Sequence, residues 1–208
     1  AVTCEVRRTA GVCRRRVAPG RAGGPAADGA VTAREDAEAA DIGTTLRARP
    51  EVTAILPSGR AEIEISGWPV EVLGLADHAT YRDRWPLLES RANAWDALRT
   101  GQGALISEQL ARKLKLGLGD RLNVSTPGGN WPVDIAAIYA DYGNPKGQIA
   151  VNIDAFRLRF PDLPRTRFGL RVIPGKIAPL IDDLRRTFQL DERHLSDQSA
   201  LKAESTRI

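Results

Sequence analysis

Between residues 103 and 140, short apolar segments follow one another with turn residues between them, and no other feature constrains the fold as strongly. Two segments, 121–126 and 131–140, have the length and composition of strands, and the "PGG" between them predicts a tight turn. A third segment, "GALIS" at 103–107, predicts another strand. Because such strands need partners and a covering layer, the block favours a β-rich domain.

One short helix is predicted within this block. Ser107 is its expected N-cap, because a hydroxyl there can accept a hydrogen bond from a free amide of the first turn. Leu110 and Leu114 then lie on one face, and Gly117 is expected to end the helix in the left-handed conformation. The "GLG" that follows is not a dinucleotide-binding loop, because that loop precedes a helix, whereas this one precedes a strand.

A helix and a strand are predicted before this block. Thr32 and Glu35 have the spacing of a capping box, which predicts a helix over 32–48. A strand is expected at 51–56, and a second helix near 92–99. The four tryptophans are expected as core or strand-edge anchors, and any of them on the surface would indicate a partner site.

The last part of the chain repeats the mixture of strand and helix. Residues 166–174 predict a strand. Apolar residues at helical spacing predict an amphipathic helix over 176–190, with Pro179 tolerated in its first turn. Ser196 is expected to cap a final helix that continues through "DQSALKAES".

The loop "DYGNPKGQ" at 141–148 could be suspected of binding phosphate. A phosphate-binding loop needs two glycines separated by four residues, then Lys and Ser or Thr at the start of a helix. Here three residues separate Gly143 from Gly147, and a strand-like segment follows. Asn144 through Gly147 match a type I turn instead, with Lys146 expected as a solvated charge at its tip.

Exposed turns on a rigid scaffold are where partners are commonly bound. Strands at 60–66 and 69–75 predict a hairpin that turns at Gly67, which adds a third tip to the two turns described above. The candidate partner-contact residues are Gly67, Trp68, Gly128, Gly129, Asn144, Pro145 and Lys146.

The charge distribution counts against a nucleic-acid partner. The net charge of the 208 residues is +4, but six arginines lie in the first thirty residues. From residue 31 onward acidic and basic residues balance, whereas a nucleic-acid-binding domain carries a basic face. No apolar run approaches the roughly 18 residues that a membrane helix needs.

Residues 1–30 form a Gly/Ala/Arg-rich head with no sustained helix or strand period, which predicts a flexible or atypical segment. The only cysteines, Cys4 and Cys13, lie in it and are either a disulfide or incidental thiols. Because the chain contains no methionine, it is expected to be a segment of a longer protein.

Residues that could catalyse a reaction are sparse. The only histidines, His78 and His194, lie far apart in sequence, and Ser107 lacks the context of an activated nucleophile. Asp141 opens a turn and is expected to bond its own backbone. We therefore predict no catalytic, cofactor-binding or metal-binding residues, and no enzymatic activity.

Four stretches resemble a known family. These are "GALISEQLARKLKLGLGDRLNVSTPGG", "AAIYADYGNPKGQIAVN", "TRFGLRVIPG" and "LKAESTRI". Together they resemble the extracytoplasmic domain of FtsX-like permeases of ABC transporters, the MacB-like periplasmic core, over roughly residues 46–208. The head departs from this family, in which an extended strand would follow the first membrane helix.

The resemblance implies an α+β fold with two lobes. A porter-like α/β subdomain would combine 31–59 and 165–208, and a β-rich subdomain, 60–164, would be inserted between them. The domain would lie outside the membrane, in the periplasm or its equivalent, and would hold no cofactor. ATP would be bound by a separate cytoplasmic subunit.

The same resemblance implies a role and its partners. The domain would relay ATP-driven movement to partners or cargo, which could be lipid, lipoprotein or peptide. Expected partners are the ATP-binding subunit, a second permease copy or paralogue, and a periplasmic or lipoprotein partner, but not nucleic acid. The alternative from the residues alone is a free-standing soluble module that binds a ligand or protein.

Overall fold

The computed structural model describes residues 12–14, 27–141 and 144–197, with only the backbone described for the first of these ranges. The chain divides into two compact units. The inserted unit comprises Arg60–Leu163 together with the strand Val12–Arg14, and the terminal unit comprises Ala27–Gly59 and the chain from Pro164 onward.

Strands and helices mix throughout the described residues, so the prediction of a mixed α+β fold is confirmed. The strands are β1 Val12–Arg14, β2 Gly29–Thr32, β3 Val52–Ile65, β4 Trp68–Leu75, β5 Leu87–Arg91, β6 Gly103–Ser107, β7 Arg121–Thr126, β8 Gly129–Tyr139, β9 Gly147–Asn152, β10 Arg167–Val172 and β11 Leu195–Asp197. The helices are α1 Asp36–Arg47, α2 Ala79–Arg84, α3 Ala94–Arg99, α4 Glu108–Leu114, α5 Ile153–Arg159 and α6 Ile177–Phe188.

In the inserted unit the strand order is β1-β5-β8-β6-β9-β4-β3, and β7 pairs separately with β8. The β4–β9 and β6–β8 pairs are parallel, whereas β5–β8, β6–β9 and β7–β8 are antiparallel. Strands β6 and β9 are buried almost throughout, as central strands of a covered sheet should be. Their core includes Val72, Ile106, Leu110, Trp131, Ile149 and Phe156.

In the terminal unit the order is β3-β10-β2-β11, and the β10–β3, β10–β2 and β11–β2 pairs are antiparallel. Helices α1 and α6 share one apolar cluster with these strands because each helix has a single apolar stripe to bury. The cluster contains Val31, Ile42, Leu46, Leu170, Val172, Leu180, Ile181 and Leu184.

The predicted capping box is wrong. Thr32 is the last residue of β2, where it pairs with Arg167, and the helix starts only at Asp36. Glu35 is the N-cap residue, without a side-chain capping bond. Backbone pairing across the sheet therefore overrides a local capping signal.

Part of the predicted head is ordered strand. Val12–Arg14 pairs with β5, and Gly29 and Ala30 lie in β2, so these residues have the strand structure that the sequence of the head did not indicate. The preceding Asp28 also bonds the sheet, because its backbone amide donates to the carbonyl of Leu170 at 2.8 Å. Cys4 lies outside the described residues, and only the backbone of Cys13 is described.

Three further predictions are corrected. The strands expected at 51–56 and 60–66 are one continuous strand, β3, in which Pro57 stands opposite Phe168. Helix α4 ends with Lys115, not Gly117, in the left-handed conformation at φ 56°. Ser196 belongs to β11 rather than capping a helix, and the rest of that predicted helix lies outside the described residues.

Candidate functional site

The hairpin at Gly67 forms as predicted, and its turn has a defined geometry. Ser66 and Gly67 join β3 to β4 with φ values of 53° and 73°. Two consecutive left-handed residues are typical of the type I′ turn, whose twist matches that of the flanking strands. Trp68 is the first residue of β4 and is half-buried.

The Asn144 loop lies beside this hairpin. Gly147 stands opposite Val70 in the parallel β4–β9 pair, and a Cβ atom at Gly147 would lie 2.9 Å from the Trp68 ring. The side-chain oxygen of Asn144 accepts a hydrogen bond from the amide of Lys146 at 3.0 Å, which is a local turn of the kind Asn favours. We call the residues 66–68 and 144–147 the loop end.

The sequence suggested that Lys146 is a solvated charge, but in the structure this side chain has an ion-pair partner. Its Nζ atom lies 2.5 Å from Oε1 of Glu62 on β3. The pair ties the loop to β3, two strands away from β9, although an exposed ion pair of this type stabilises by no more than about 1 kcal/mol. Tyr142 and Gly143, which belong to the same loop, lie outside the described residues.

The Gly128 tip does not join the loop end. Tyr139 is in register with Ser107, and the Ser107 hydroxyl accepts from the Gln148 amide, so the C-terminal end of β8 lies at the loop end. Gly129 begins β8 ten residues earlier, which places it about 30 Å away along an extended strand. Of the three predicted tips, the fold brings together two and separates the third.

A hydrogen-bonded chain of polar side chains lies directly behind the loop end. The Tyr139 hydroxyl donates to the Gln148 side-chain oxygen at 2.6 Å. The Gln148 amide nitrogen donates to Glu71 at 2.5 Å, and Arg60 donates to the other oxygen of Glu71 at 2.9 Å. These hydrogen-bonded side chains hold β8, β9, β4 and β3 in position relative to one another at this end.

Ser107 is the buried anchor of this end and behaves as a cap. Its hydroxyl oxygen accepts from the amides of Leu110 at 3.4 Å and Gln148 at 3.1 Å. The prediction of Ser107 as the N-cap of α4 is therefore confirmed. A fully buried hydroxyl that accepts from two backbone amides is a structural group, in contrast to the exposed nucleophile of a hydrolase.

Burial dominates the electrostatics of this end. It raises the pKa of the Tyr139 hydroxyl well above its usual value, and the charges of Asp141 and Glu71 act in the same direction. It also raises the pKa of the Asp141 carboxyl, against a hydrogen bond from Asn144 that lowers it. One oxygen of Asp141 is buried without a hydrogen-bond partner, so its ionised form is poorly solvated.

Residues 27–141 and 144–197 contain no group of three or more His, Cys, Asp and Glu side chains placed to hold a metal ion. Across the same part of the chain, each helix is too short or too polar to span a bilayer.

The strand by which the described chain enters the terminal unit, β2, lies against β11, the last described strand. In the β11–β2 pair, Asp197 is the Cα partner of Gly29, and Ser196 is the partner of Ala30. A Cβ atom at Gly29 would lie 2.6 Å from Ile177 Cδ1 and 2.8 Å from the Ser196 carbonyl oxygen. Only glycine lets β11 and α6 approach β2 so closely. This junction could not be predicted from the sequence, because strands of three or four residues show no period.

Comparison with known proteins identifies relatives of this arrangement. The model of the MacB-like periplasmic core domain family matches residues 9–185. The fold is similar to the periplasmic region of MacB from Actinobacillus actinomycetemcomitans, with a TM-score of 0.54 and 9% identity over 86% of this chain and 92% of that one. It is also similar to the extracellular domain of the noncanonic ABC-type transporter YknZ from Gram-positive bacteria, with a TM-score of 0.50 and 15% identity over 73% and 84% of the two chains. No curated protein sequence matches.

Proposed function

The chain belongs to the MacB-like periplasmic core domain family and is an extracytoplasmic domain of a MacB- and FtsX-like ABC transporter permease, and on this premise we propose that it is a non-catalytic relay. The relay passes ATP-driven movement of the permease to extracytoplasmic partners or cargo. In this proposal ATP is bound by a cytoplasmic subunit, and the domain itself holds no cofactor. Because the chain belongs to this family, we prefer this function to the alternative of a free-standing module.

The β2–β11 junction is the observation that carries the proposal. A domain that transmits movement has to take up displacement at the segments that join it to the rest of the permease. Asp197 is the partner of Gly29 in one antiparallel pair, so a displacement of β11 is passed directly to β2 and to the sheet of the terminal unit. The helices behind that sheet share a close-packed apolar cluster, which resists strain rather than absorbing it.

Asp28 strengthens the junction from the other side. Its two carboxylate oxygens accept from the Arg171 guanidinium at 2.7 Å and from the amide of Val172 at 2.9 Å. Hydrogen bonds that involve a charged group are stronger than neutral ones. The entering segment is therefore bound to β10 by its side chain as well as by the β2–β10 ladder.

Breaking the mechanical continuity at the junction tests the proposal. A flexible Gly/Ser linker of about six residues, long enough to absorb a displacement of some ångströms, is inserted after Asp197 in the intact permease. We expect transport to be lost while ATP hydrolysis by the partner subunit continues. The same linker after Ala92, in an exposed turn of the inserted unit, is the control and should leave transport intact. Full transport with the linker after Asp197 would refute the relay.

A further inference from the structure

A groove lies at the opposite end of the inserted unit from the loop end. It encloses about 430 Å³ and is lined by Gln102, Arg121, Trp131, Pro132, Asp134 and Arg159. These residues come from the segment before β6, from the first parts of β7 and β8, and from the end of α5. No residue that the sequence predicted for partner contact lines it.

Close main-chain packing positions the segment before β6 that lines the groove. Gly101 has φ 74°, and a Cβ atom there would lie 3.2 Å from the Cβ of Ala155 on α5. The amide of Asp134 donates to the carbonyl of Gln102 at 3.1 Å, which ties the segment before β6 to β8. The walls are thus fixed by glycine geometry and a main-chain bond.

Two arginines that line the groove have guanidinium N–H groups available to bind a ligand. Arg121 donates through Nε to Asp134 at 2.9 Å, and its side chain is 69% exposed, so its terminal nitrogens face solvent. The Arg159 guanidinium lies over the Trp131 ring, 5.8 Å from the centroid. Within the described part of the chain, Arg159 has no carboxylate partner within ion-pair distance.

A guanidinium held against an indole is well placed to bind a carboxylate. Stacking orients the planar group while its edge stays available for two parallel hydrogen bonds. With Asp134 already facing Arg121, Arg159 is the positive charge of the groove that no described carboxylate compensates. The groove therefore complements a single negative charge rather than the repeated charges of a nucleic acid.

An apolar element flanks this charge. Leu158 immediately precedes Arg159 on α5 and is 75% exposed, whereas most large apolar side chains of the inserted unit are packed in the core. A single exposed leucine needs no explanation. Leu158 does not line the groove, but as the neighbour of Arg159 on α5 it offers an exposed apolar contact outside the groove to a segment bound at Arg159.

We propose that this groove binds an extended segment of an extracytoplasmic protein partner that carries a carboxylate between apolar side chains. The carboxylate lies against Arg159, with Arg121 as the second donor, and an apolar side chain of the segment covers Leu158. This proposal rests on the proposed relay function, because it names the chemistry of the partner to which movement is passed.

The test uses the 208-residue chain and a defined probe, the peptide acetyl-Gly-Leu-Glu-Leu-Gly-amide. Binding is followed by ¹H–¹⁵N NMR through the Trp131 indole and the Gln102 side-chain amide. We expect saturable shifts confined to the groove, with a dissociation constant of about 1 mM for so short a segment. The matched peptide with Gln in place of Glu should bind at least about tenfold more weakly, because it loses a charge-assisted bond.

Variants of the protein provide the control. R159Q should weaken binding of the Glu peptide about tenfold, whereas R112Q should not change it. Arg112 is the matched residue, because it is 77% exposed and paired with Glu108 on the same unit. The folded state of each variant is checked by the dispersion of its own NMR spectrum.

Three outcomes would overturn the proposal. They are equal affinity for the Glu and Gln peptides, an absence of saturable shifts up to about 10 mM peptide, and groove shifts with phosphatidylglycerol vesicles in place of the peptide. The last outcome would assign the groove to lipid. Peptide binding is measured without a working permease. A negative result in this experiment can therefore be distinguished from a negative result in the linker experiment, which tests the relay.

Discussion

Asp197 faces Gly29 across the β2–β11 pair, so the last described strand of the chain runs antiparallel to the strand by which the chain enters the terminal unit. The contact depends on the missing side chain of Gly29, since any Cβ atom would collide with Ile177 and with the Ser196 carbonyl.

Replacing Gly29 with alanine should destabilise the protein by about 1–3 kcal/mol, because the Cβ atom overpacks a site closed on one side by backbone. The free energy of unfolding is measured in urea. Gly128→Ala is the control, because a Cβ atom there would meet no atom closer than 4.0 Å. Equal stability of the two variants would show that β11 is not packed as described.

Replacing Ser107 with alanine should cost about 1–3 kcal/mol, because the amides of Leu110 and Gln148 lose a buried acceptor. Ser125→Ala, on an exposed position of β7, serves as the control and should change the urea midpoint little. A Ser107→Thr variant keeps the acceptor, and partial recovery of stability would assign the effect to the hydroxyl rather than to packing.

Asp141 and Asp134 should give opposite pH dependences. Burial raises the pKa of the Asp141 carboxyl in the folded state, so its protonated form is favoured there, and this stability is lost as pH rises above the unfolded value of about 3.9. Asp141→Asn should therefore gain stability relative to the wild type between acidic and neutral pH.

Asp134 provides the comparison. The hydrogen bond from Arg121 lowers the pKa of its carboxyl, so its stabilising effect is present above the unfolded pKa and is lost as pH falls. Asp134→Asn should lose stability at neutral pH relative to the wild type, by a small amount because the group is exposed. Urea midpoints recorded from about pH 3 to pH 7 check both signs. The same sign for both variants would contradict the described burial of Asp141.

A bulky substitution at the loop end should abolish transport in the intact permease. Asn144→Trp removes the side-chain bond to the Lys146 amide and places an indole on the surface expected to meet a partner. ATP hydrolysis by the partner subunit and the melting temperature of the domain should stay nearly unchanged. Asp83→Trp, at an exposed position of α2, is the matched control and should leave transport intact. Full transport by the Asn144 variant would remove this loop from the mechanism.

The isolated domain should neither bind nor hydrolyse ATP. Lys146 is engaged by Glu62, and the loop that carries it leads into β9 rather than into a helix N-terminus, which a phosphate-binding loop requires. Calorimetry with ATP checks this expectation. Micromolar binding that disappears in Lys146→Ala would contradict it.

Elements with a strong internal period could be predicted from the sequence. Helix α6 falls within the expected 176–190 because its apolar residues repeat at helical spacing, and four of them are buried. The strand-to-helix step at Ser107 is equally local, since the cap and the amide it binds are three residues apart. The hairpin at Gly67 follows from two alternating strands and a glycine between them.

The misplaced elements are those whose structure depends on distant partners. Gly29 to Thr32 carries no period of its own and is a strand only because Arg167 to Leu170 and Leu195 to Asp197 flank it. The same pairing removes Thr32 from its predicted cap and Ser196 from its predicted helix. The candidate site was likewise predicted only in part. The tips were predicted as turns, but their distribution between two ends of the unit and the groove at Arg159 were not.

The sequence by itself therefore determined which segments are helix, strand or turn wherever the signal lies within a few residues, and its motifs were sufficient to indicate the family. Only the tertiary structure decided that Asp197 faces Gly29, that Trp68 lies beside Gly147, and that Arg159 stacks on Trp131. The physical reason is the range of the interactions. Periodicity and capping act over three or four residues, whereas strand pairing and side-chain packing join residues that the chain separates by tens to more than a hundred positions.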